Sequence, residues 1–344
     1  MKLIYHPYLL EFKHPFGVSS NTRTHTPVVF TRIEQDGIYG YGEACVPTYL
    51  GETQEGTISF LQRAQELLGG YGLPTEDLTG KIDALAPDNN AAKASIDIAL
   101  HDLKGKLEGK TFRQMQGLQS SKPVSTSCTI GIDHADKIAI KIKEAEAFSI
   151  LKIKAGSEND KALINLVRAH TNKPLYVDVN QGWKDKYFVL DMLHYLKENN
   201  VVLAEQPMPV SMLEEMAWVT ERSPIPTIAD ESVKRLADID KVKGVFSGIN
   251  IKLMKSGGLT EALKMIKRAR ENNLKVMLGC MAESSCGTTA MAQLASLADY
   301  VDLDAPNLIK NDPFSGIFYK EGKVLLNNSP GIGVELKDKN FFNS

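Results

Sequence analysis

From residue 124 onward, eight short apolar runs recur at nearly constant intervals, each ending in a polar cluster: VSTSCTIGI, ILKIKAG, LYVDVNQGW, VVLAEQP, PTIADES, GINIKLMKSGG, KVMLGCMAES and YVDLDAP. Lys154 to Asp178 spans 24 residues, and the following steps to Glu205, Asp230, Lys252, Gly279 and Asp302 span 27, 25, 22, 27 and 23. Each interval has room for one strand, one helix and two short loops. Shared spacing without shared sequence disfavours a solenoid of similar repeats. Eight such units over about 190 residues fit a closed parallel barrel, slightly under the usual size. The rival is a doubly wound open sheet, but no Gly-rich phosphate loop follows the first strand. Ahead of the barrel, LLEF, TPVVFTRIEQDG and IYGYGEA read as strands around a DG hairpin turn. Helical texture follows in ISFLQRAQELL and then in AAKASIDIALHDLKGKLEG, where Ala92, Ile96, Ala99, Leu103 and Leu107 form one apolar stripe. Strands followed by helices suggest an α+β domain over 1–120. LQSSKPVS would be the linker, the barrel would occupy 121–314, and 315–344 would return to the first domain.

Composition narrows the partners. Forty Lys and Arg against 42 Asp and Glu leave a formal charge of −2, so neither nucleic acid nor an anionic membrane is expected. No apolar run approaches the ~18–20 residues of a membrane span. The N-terminal stretch is interrupted by Glu11, His14 and two prolines, unlike a signal peptide. Cys45, Cys128, Cys280 and Cys286 are scattered without a CxxC pair, which suggests reduced thiols and a cytoplasmic protein. The oligomeric state is not fixed, and a homo-oligomer stays open.

The chemistry sits at the strand ends. Strands of a parallel barrel are covered on both faces and should read as apolar throughout, whereas the C-terminal ends of such strands carry the active site. Three ends bear polar residues at i and i+2, namely Lys152/Lys154, Asp178/Asn180 and Asp302/Asp304, so both members of each pair share a face. Glu205, Asp230, Glu231 and Lys252 end three more strands. Asp178, Glu205 and Asp230 lie on consecutive strands, and three converging like charges call for a cation. Carboxylate oxygens suit a hard ion, so Mg²⁺ is expected. The seven histidines avoid all these ends, which disfavours zinc. A carboxylate cluster satisfied by lysines without metal is the alternative. Lys152/Lys154 and Lys252 flank the three carboxylate strands, so a small-molecule substrate bound between them would meet an amine on each side. That suits proton removal and return at a carbon next to a carboxylate. A base lysine must fall from ~10.4 toward ~7–8, which a dication and a second ammonium would favour.

Together with GYGEA and IDIALHDLKGK, these motifs make the chain resemble the enolase superfamily, in particular its muconate-lactonizing subgroup and the dipeptide epimerases within it. The resemblance spans nearly the whole chain. It implies a modified TIM barrel of (β/α)7β type with an α+β N-terminal capping domain. It also implies Mg²⁺ on Asp178, Glu205 and Asp230, with Lys154 and Lys252 as acid/base pair and Lys152 and Glu231 in support. The expected reaction is a 1,1-proton transfer at the α-carbon of the C-terminal residue of a dipeptide, through an enediolate. The histidine base of the mandelate-racemase branch has no counterpart here. In dipeptide epimerases a DxD pair like Asp302/Asp304 holds the substrate α-ammonium. N-acylamino acid racemase and o-succinylbenzoate synthase share the catalytic residues and are the alternatives, with a non-catalytic metal-bound ligand-binding protein outside the enzymes. Cys280 and Met281 would also touch substrate. In the loop at 15–27, Ala-Glu epimerases carry a basic residue where this chain has Ser19 or Ser20, with Arg23 a few residues later. This leads to an expectation of small Ala-Ala-like dipeptides over Ala-Glu.

Overall fold

The DG turn sets the first sheet. Asp36 (φ 52°) and Gly37 (φ 76°) both take left-handed backbone, the geometry of a tight two-residue hairpin. The turn joins β2 (Asn21–Gln35) to β3 (Ile38–Cys45), and β1 (Lys2–Val18) pairs antiparallel along the other edge of β2. The computed structural model describes residues 1–18, 21–46, 48–71, 76–118 and 123–343. β1 is much longer than LLEF, and its register with β2 slips between Glu11 and Phe16.

Helices α1 (Gln54–Leu68), α2 (Glu76–Asp83) and α3 (Asn90–Glu108) complete this capping domain. The expected stripe of α3 is buried except for half-buried Leu107, but Lys93, Asp97 and Asp102 are buried too. The reason is that α3 is covered on more than one side. Against the sheet, a Cβ on Gly40 would fall 2.1 Å from Ala99 O, and one on Gly42 1.8 Å from Ser95 O. Against the barrel, Asp97 accepts from Thr260 Oγ1 at 2.6 Å and from Thr260 N at 3.0 Å. Asp102 accepts from Tyr41 N and Ile332 N, both at 2.9 Å. The glycines of GYGEA are therefore required by the close approach of β3 to α3.

After a two-residue strand β4 (Val124–Ser125), all eight expected barrel strands are present: β5 (Ser127–Ile130), β6 (Ile150–Lys154), β7 (Leu175–Asp178), β8 (Val201–Glu205), β9 (Thr227–Ala229), β10 (Gly248–Ile251), β11 (Lys275–Gly279) and β12 (Tyr300–Asp302). They are parallel and ordered sequentially. Among the described residues, helices follow β5 to β11, the one after β9 being the short Ile239–Val242, while β12 leads only into Ala305–Leu308. This is a (β/α)7β barrel. Side chains close the seam between β12 and β5: Leu303 N donates to Thr126 Oγ1 (2.8 Å), Ser127 Oγ to Asp302 Oδ1 (2.6 Å) and Thr129 N to Asp304 Oδ2 (2.6 Å). Inside, Tyr176, Leu203, Ile228 and Met277 form a buried apolar cluster. Tyr176, Leu203 and Ile228 each lie two residues before Asp178, Glu205 or Asp230, so strand alternation stacks an apolar layer directly beneath the carboxylates.

The C-terminal stretch divides its contacts. β13 (Phe314–Ser315) pairs with β16 (Glu335–Leu336), while β14 (Phe318–Lys320) and β15 (Lys323–Leu325) extend from β4. Phe341 and Phe342 pack on His6, Tyr8, Phe30 and Tyr41 of the cap.

Candidate active site

The strand ends deliver their charged side chains to one place. Asp178 and Glu205 are fully buried, and Asp230 and Lys152 nearly so. Lys152 Nζ stands among three carboxylates, 3.0 Å from Asp178 Oδ2, 2.7 Å from Glu205 Oε2 and 2.7 Å from Asp302 Oδ2. Lys154 Nζ lies 2.6 Å from Asp178 Oδ2 and 3.3 Å from Asn180 Oδ1. Across the barrel mouth, Lys252 Nζ is 2.7 Å from Asp230 Oδ2. Lys154 on β6 and Lys252 after β10 thus flank the three carboxylate strands.

Other residues hold this cluster in place. Lys255, fully buried, donates to Asp230 Oδ1 (2.5 Å), Asp230 O (2.6 Å) and Asn250 O (3.1 Å). Asn250 Nδ2 donates to Glu205 Oε1 at 2.7 Å. Gln206 Oε1 accepts from Asp230 N (3.0 Å) and Ser232 N (3.1 Å). Asn180 Nδ2 donates to Glu231 Oε1 at 3.3 Å. Asn180, Gln181 and Gln206 all adopt positive φ immediately beyond β7 and β8, a strained backbone of the kind that accompanies functional sites. None of Lys255, Asn250, Gln206 or Ser127 was singled out from the sequence. Lys255 was the legible one, because KLMKSGG places a second lysine one helical turn after Lys252.

Burial and charge pull the titrating groups apart. Burial opposes ionisation of Asp178, but Lys152 and Lys154 prevail and hold it at about 2. Burial and Asp178 push Glu205 up to about 7. Burial is likewise overcome at Asp230, where Lys252 and Lys255 hold the carboxyl far below its usual range. Glu231 is raised by burial and by Asp230. The Lys252 ammonium is stabilised rather than destabilised: burial would lower it, but Asp230 holds it well above the ordinary lysine range. This is the reverse of what a base needs. A divalent cation held by those carboxylates would remove the cause.

As the side chains stand, no three Asp, Glu, His or Cys residues among those described converge to hold a metal, because ammonium groups lie between the carboxylates. The donor set nonetheless fits a hard cation. It is all oxygen, and Glu205 Oε2 is buried without a hydrogen bond despite its 2.7 Å approach to Lys152 Nζ.

Asp302 and Asp304 join the cluster from the seam, both nearly fully buried. Burial and Asp302 push Asp304 up to about 7. Cys280 Sγ donates to Asp302 O at 3.3 Å, and Met281 is half-buried beside it, its N–H on Glu283 Oε1 at 2.7 Å. Arg23, half-buried on β2, lies near enough to Cys45 to favour its thiolate against burial. Cys45 in turn donates to Ala282 O at 3.4 Å, so Arg23 belongs to the junction of cap and barrel. Ser19 and Ser20 lie outside the described residues. The cap also supplies Tyr49, half-exposed as a residue, whose hydroxyl is raised by burial and by Asp230.

Two family models account for this architecture, the mandelate racemase/muconate lactonizing enzyme N-terminal domain over residues 6–117 and the enolase C-terminal domain-like model over 136–340. The chain belongs to the enolase superfamily. It is 48% identical over 335 residues to an L-Ala-D/L-Glu epimerase of Bacteroides thetaiotaomicron, covering 97% of this chain and 88% of that protein. Among solved structures it matches a dipeptide epimerase from Cytophaga hutchinsonii complexed with Mg and D-Ala-L-Val, with TM-score 0.92, 27% identity, and 99% and 97% of the two chains covered. It also matches one from Enterococcus faecalis complexed with Mg and L-Leu-L-Tyr, with TM-score 0.90, 30% identity and coverage of 97% and 98%. This superfamily member is an isomerase of the epimerase/racemase kind. No described helix is long and apolar enough to cross a membrane.

Proposed function

We propose that this protein is a Mg²⁺-dependent dipeptide epimerase, inverting the α-carbon of the C-terminal residue of dipeptides that begin with alanine. The observation that carries the reading is the placement of Lys154 and Lys252 on opposite sides of the Asp178–Glu205–Asp230 layer. Asp178, Glu205 and Asp230 would hold Mg²⁺, which when bound neutralises charge on the substrate carboxylate. One lysine takes the α-proton from its face, giving an enediolate. The other lysine returns a proton to the opposite face. Lys152 meets the carboxylate end and lowers the cost of its growing charge. Glu231, tied to Asn180, steadies the loop beside Lys154.

At the second position we infer that L-Ala-L-Glu is turned over at least as well as L-Ala-L-Ala. Arg23 at the cap–barrel junction supports this, as does the 48% identical L-Ala-D/L-Glu epimerase. Both weigh against the sequence expectation of Ala-Ala over Ala-Glu. Four free thiols support a cytoplasmic location. The test is a dipeptide panel incubated with enzyme and Mg²⁺ in D₂O, followed by mass spectrometry. Deuterium should enter Ala-Glu and Ala-Ala and not N-acetyl-alanine. Preferential labelling of N-acylated amino acids would instead make the protein an N-acylamino acid racemase.

A further inference from the structure

Arg113 is a buried cation that the fold leaves without an acid. It sits in the one-turn helix Phe112–Met115, which a capping box holds in shape: Gln114 N donates to Thr111 Oγ1 at 3.2 Å and Thr111 N to Gln114 Oε1 at 2.8 Å. Phe112 N donates to Gly331 O at 2.7 Å, tying the turn to the C-terminal segment. Arg113 itself is only 8% exposed. Among the described residues no carboxylate forms an ion pair with its guanidinium, and its side chain makes one long hydrogen bond, from Nη2 to Asn328 Oδ1 at 3.5 Å. Burial lowers its pKa with no acid to oppose the shift. Arg168, another guanidinium that burial lowers, satisfies its donors on the carbonyls of Thr171, Lys173, Asn199 and Asn200. Arg113 has no such set.

The guanidinium lines a cavity of about 160 Å³ between the end of the cap, β4, β15 and the far end of the barrel helix Ser285–Ala292. Val124 precedes β5, and Ala292 closes that helix, so the cavity lies at the N-terminal face of the barrel, opposite the charged mouth. Val124, Ala292, Ala295, Val324 and Leu326 give it apolar walls, and Asn328 adds a carboxamide. None of its lining residues is acidic, and Arg113 is the basic one. A planar fork of N–H donors beside apolar walls matches a carboxylate that carries a short hydrocarbon tail. An apolar cavity of about 150 Å³ can hold benzene, so a tail of a few carbons fits. One buried positive charge balances one negative charge, which disfavours a phosphate or sulfate dianion. The lack of an acid leaves nothing to receive the ammonium of an amino acid or a dipeptide. We propose that this cavity binds a small aliphatic monocarboxylate, held through both oxygens by Arg113, at a site remote from the catalytic mouth. The ligand would join the cap–barrel connection to the C-terminal strands and supply the buried cation with its missing partner, so binding should stabilise the folded chain.

The experiment follows thermal unfolding of the full chain with Mg²⁺ while sodium butyrate is titrated at an ionic strength held constant with sodium chloride. The wild-type Tm should rise saturably, with a Kd on the order of 1 mM. Butyramide, which has the shape without the charge, and L-2-aminobutyrate, which adds an ammonium, should move Tm little at the same concentrations. Arg113→Met removes the charge and keeps most of the side-chain length. It should unfold no lower than ligand-free wild type and bind butyrate about tenfold to a hundredfold more weakly, as expected for a lost charge-assisted pair. Arg113→Lys keeps the charge without the fork and should bind butyrate more weakly than wild type. A wild-type Tm that butyrate does not move, or a butyrate response undiminished in Arg113→Met, would overturn the site, the latter by placing the anion elsewhere. Equal stabilisation by butyramide, or stronger stabilisation by sulfate or inorganic phosphate, would overturn the carboxylate assignment. Should Arg113→Met fail to fold, Arg113→Lys carries the comparison.

Discussion

Replacing Glu283 by Gln should stabilise the protein, and increasingly so as pH rises. Glu283 and Glu43 are both buried at the joint between barrel and cap. Glu43, on β3, accepts from Ser284 N (2.9 Å), Ser284 Oγ (2.6 Å) and Gly287 N (2.8 Å), so the cap holds the first turn of the barrel helix Ser285–Ala292. A Cβ placed on Gly287 would sit 2.6 Å from Glu283 Oε2 and 3.2 Å from Glu43 Oε2, so the two carboxyl groups crowd one spot. Burial, and then the charge of Glu43, push Glu283 from 4.5 up to about 8. Burial, opposed by its Ser284 and Gly287 hydrogen bonds, leaves Glu43 at about 7. Below pH 4.5 Glu283 is protonated in folded and unfolded chains alike and contributes nothing. Between 4.5 and about 8 the unfolded chain releases a proton that the folded chain keeps. Stability therefore falls by about 1.4 kcal/mol per pH unit for this group, then levels off. The cost is roughly 2 kcal/mol at pH 6 and roughly 4 kcal/mol at pH 8. Gln keeps the shape and never ionises, so it does not meet the charge of Glu43. Thermal unfolding of wild type and variant across pH 5–8 is the assay. The gap in Tm should be about 2 °C or less near pH 5 and roughly 5–10 °C by pH 8. A gap independent of pH, or one widening toward acid, would refute the reasoning.

Chelation should abolish epimerisation, and added Mg²⁺ should restore it where Zn²⁺ does so poorly, because the donors proposed for the ion are oxygens of Asp178, Glu205 and Asp230; undiminished turnover in chelator, followed by product chirality, would remove these residues as metal ligands. Gly42→Ala should cost about 3 kcal/mol or more, since its Cβ would fall 1.8 Å from Ser95 O and force α3 off the sheet. A variant whose Tm matches wild type would show that β3 and α3 need not approach so closely.

Periodicity made the barrel legible. Strands covered on both faces must be apolar, so Asp178, Glu205, Asp230 and Lys252 stood out as charges at the one end where charge is useful. The cap was read less completely. Strand β1 runs on through Lys13, His14 and Pro15, where its pairing with β2 slips and where the residues break the apolar alternation by which a strand is recognised. α3 showed one stripe because periodicity registers apolar residues, whereas Asp97 and Asp102 are buried against Thr260, Tyr41 and Ile332, all more than 60 residues away, and Lys93 against Asp83 and the Ala86 carbonyl in the preceding turn. The site followed the same rule. Residues at a repeating position were visible, but Ser127, Asn250 and Gln206 act through hydrogen bonds to neighbouring strands, and no spacing within one strand reveals them. The depressed base that the sequence anticipates depends on a dication among the carboxylates; with lysines as their partners, Asp230 raises Lys252 instead.

The two-lysine mechanism is tested most directly by stereospecific exchange. Lys154→Ala and Lys252→Ala, each incubated in D₂O with pure L-Ala-L-Glu and pure L-Ala-D-Glu, should fail to interconvert the epimers. Each variant should still carry deuterium into one epimer only, and the two variants should choose opposite epimers, because the lysines stand on opposite sides of the carboxylate layer. Interconversion near the wild-type rate by either variant, or exchange into the same epimer by both, would contradict proton transfer between two lysines.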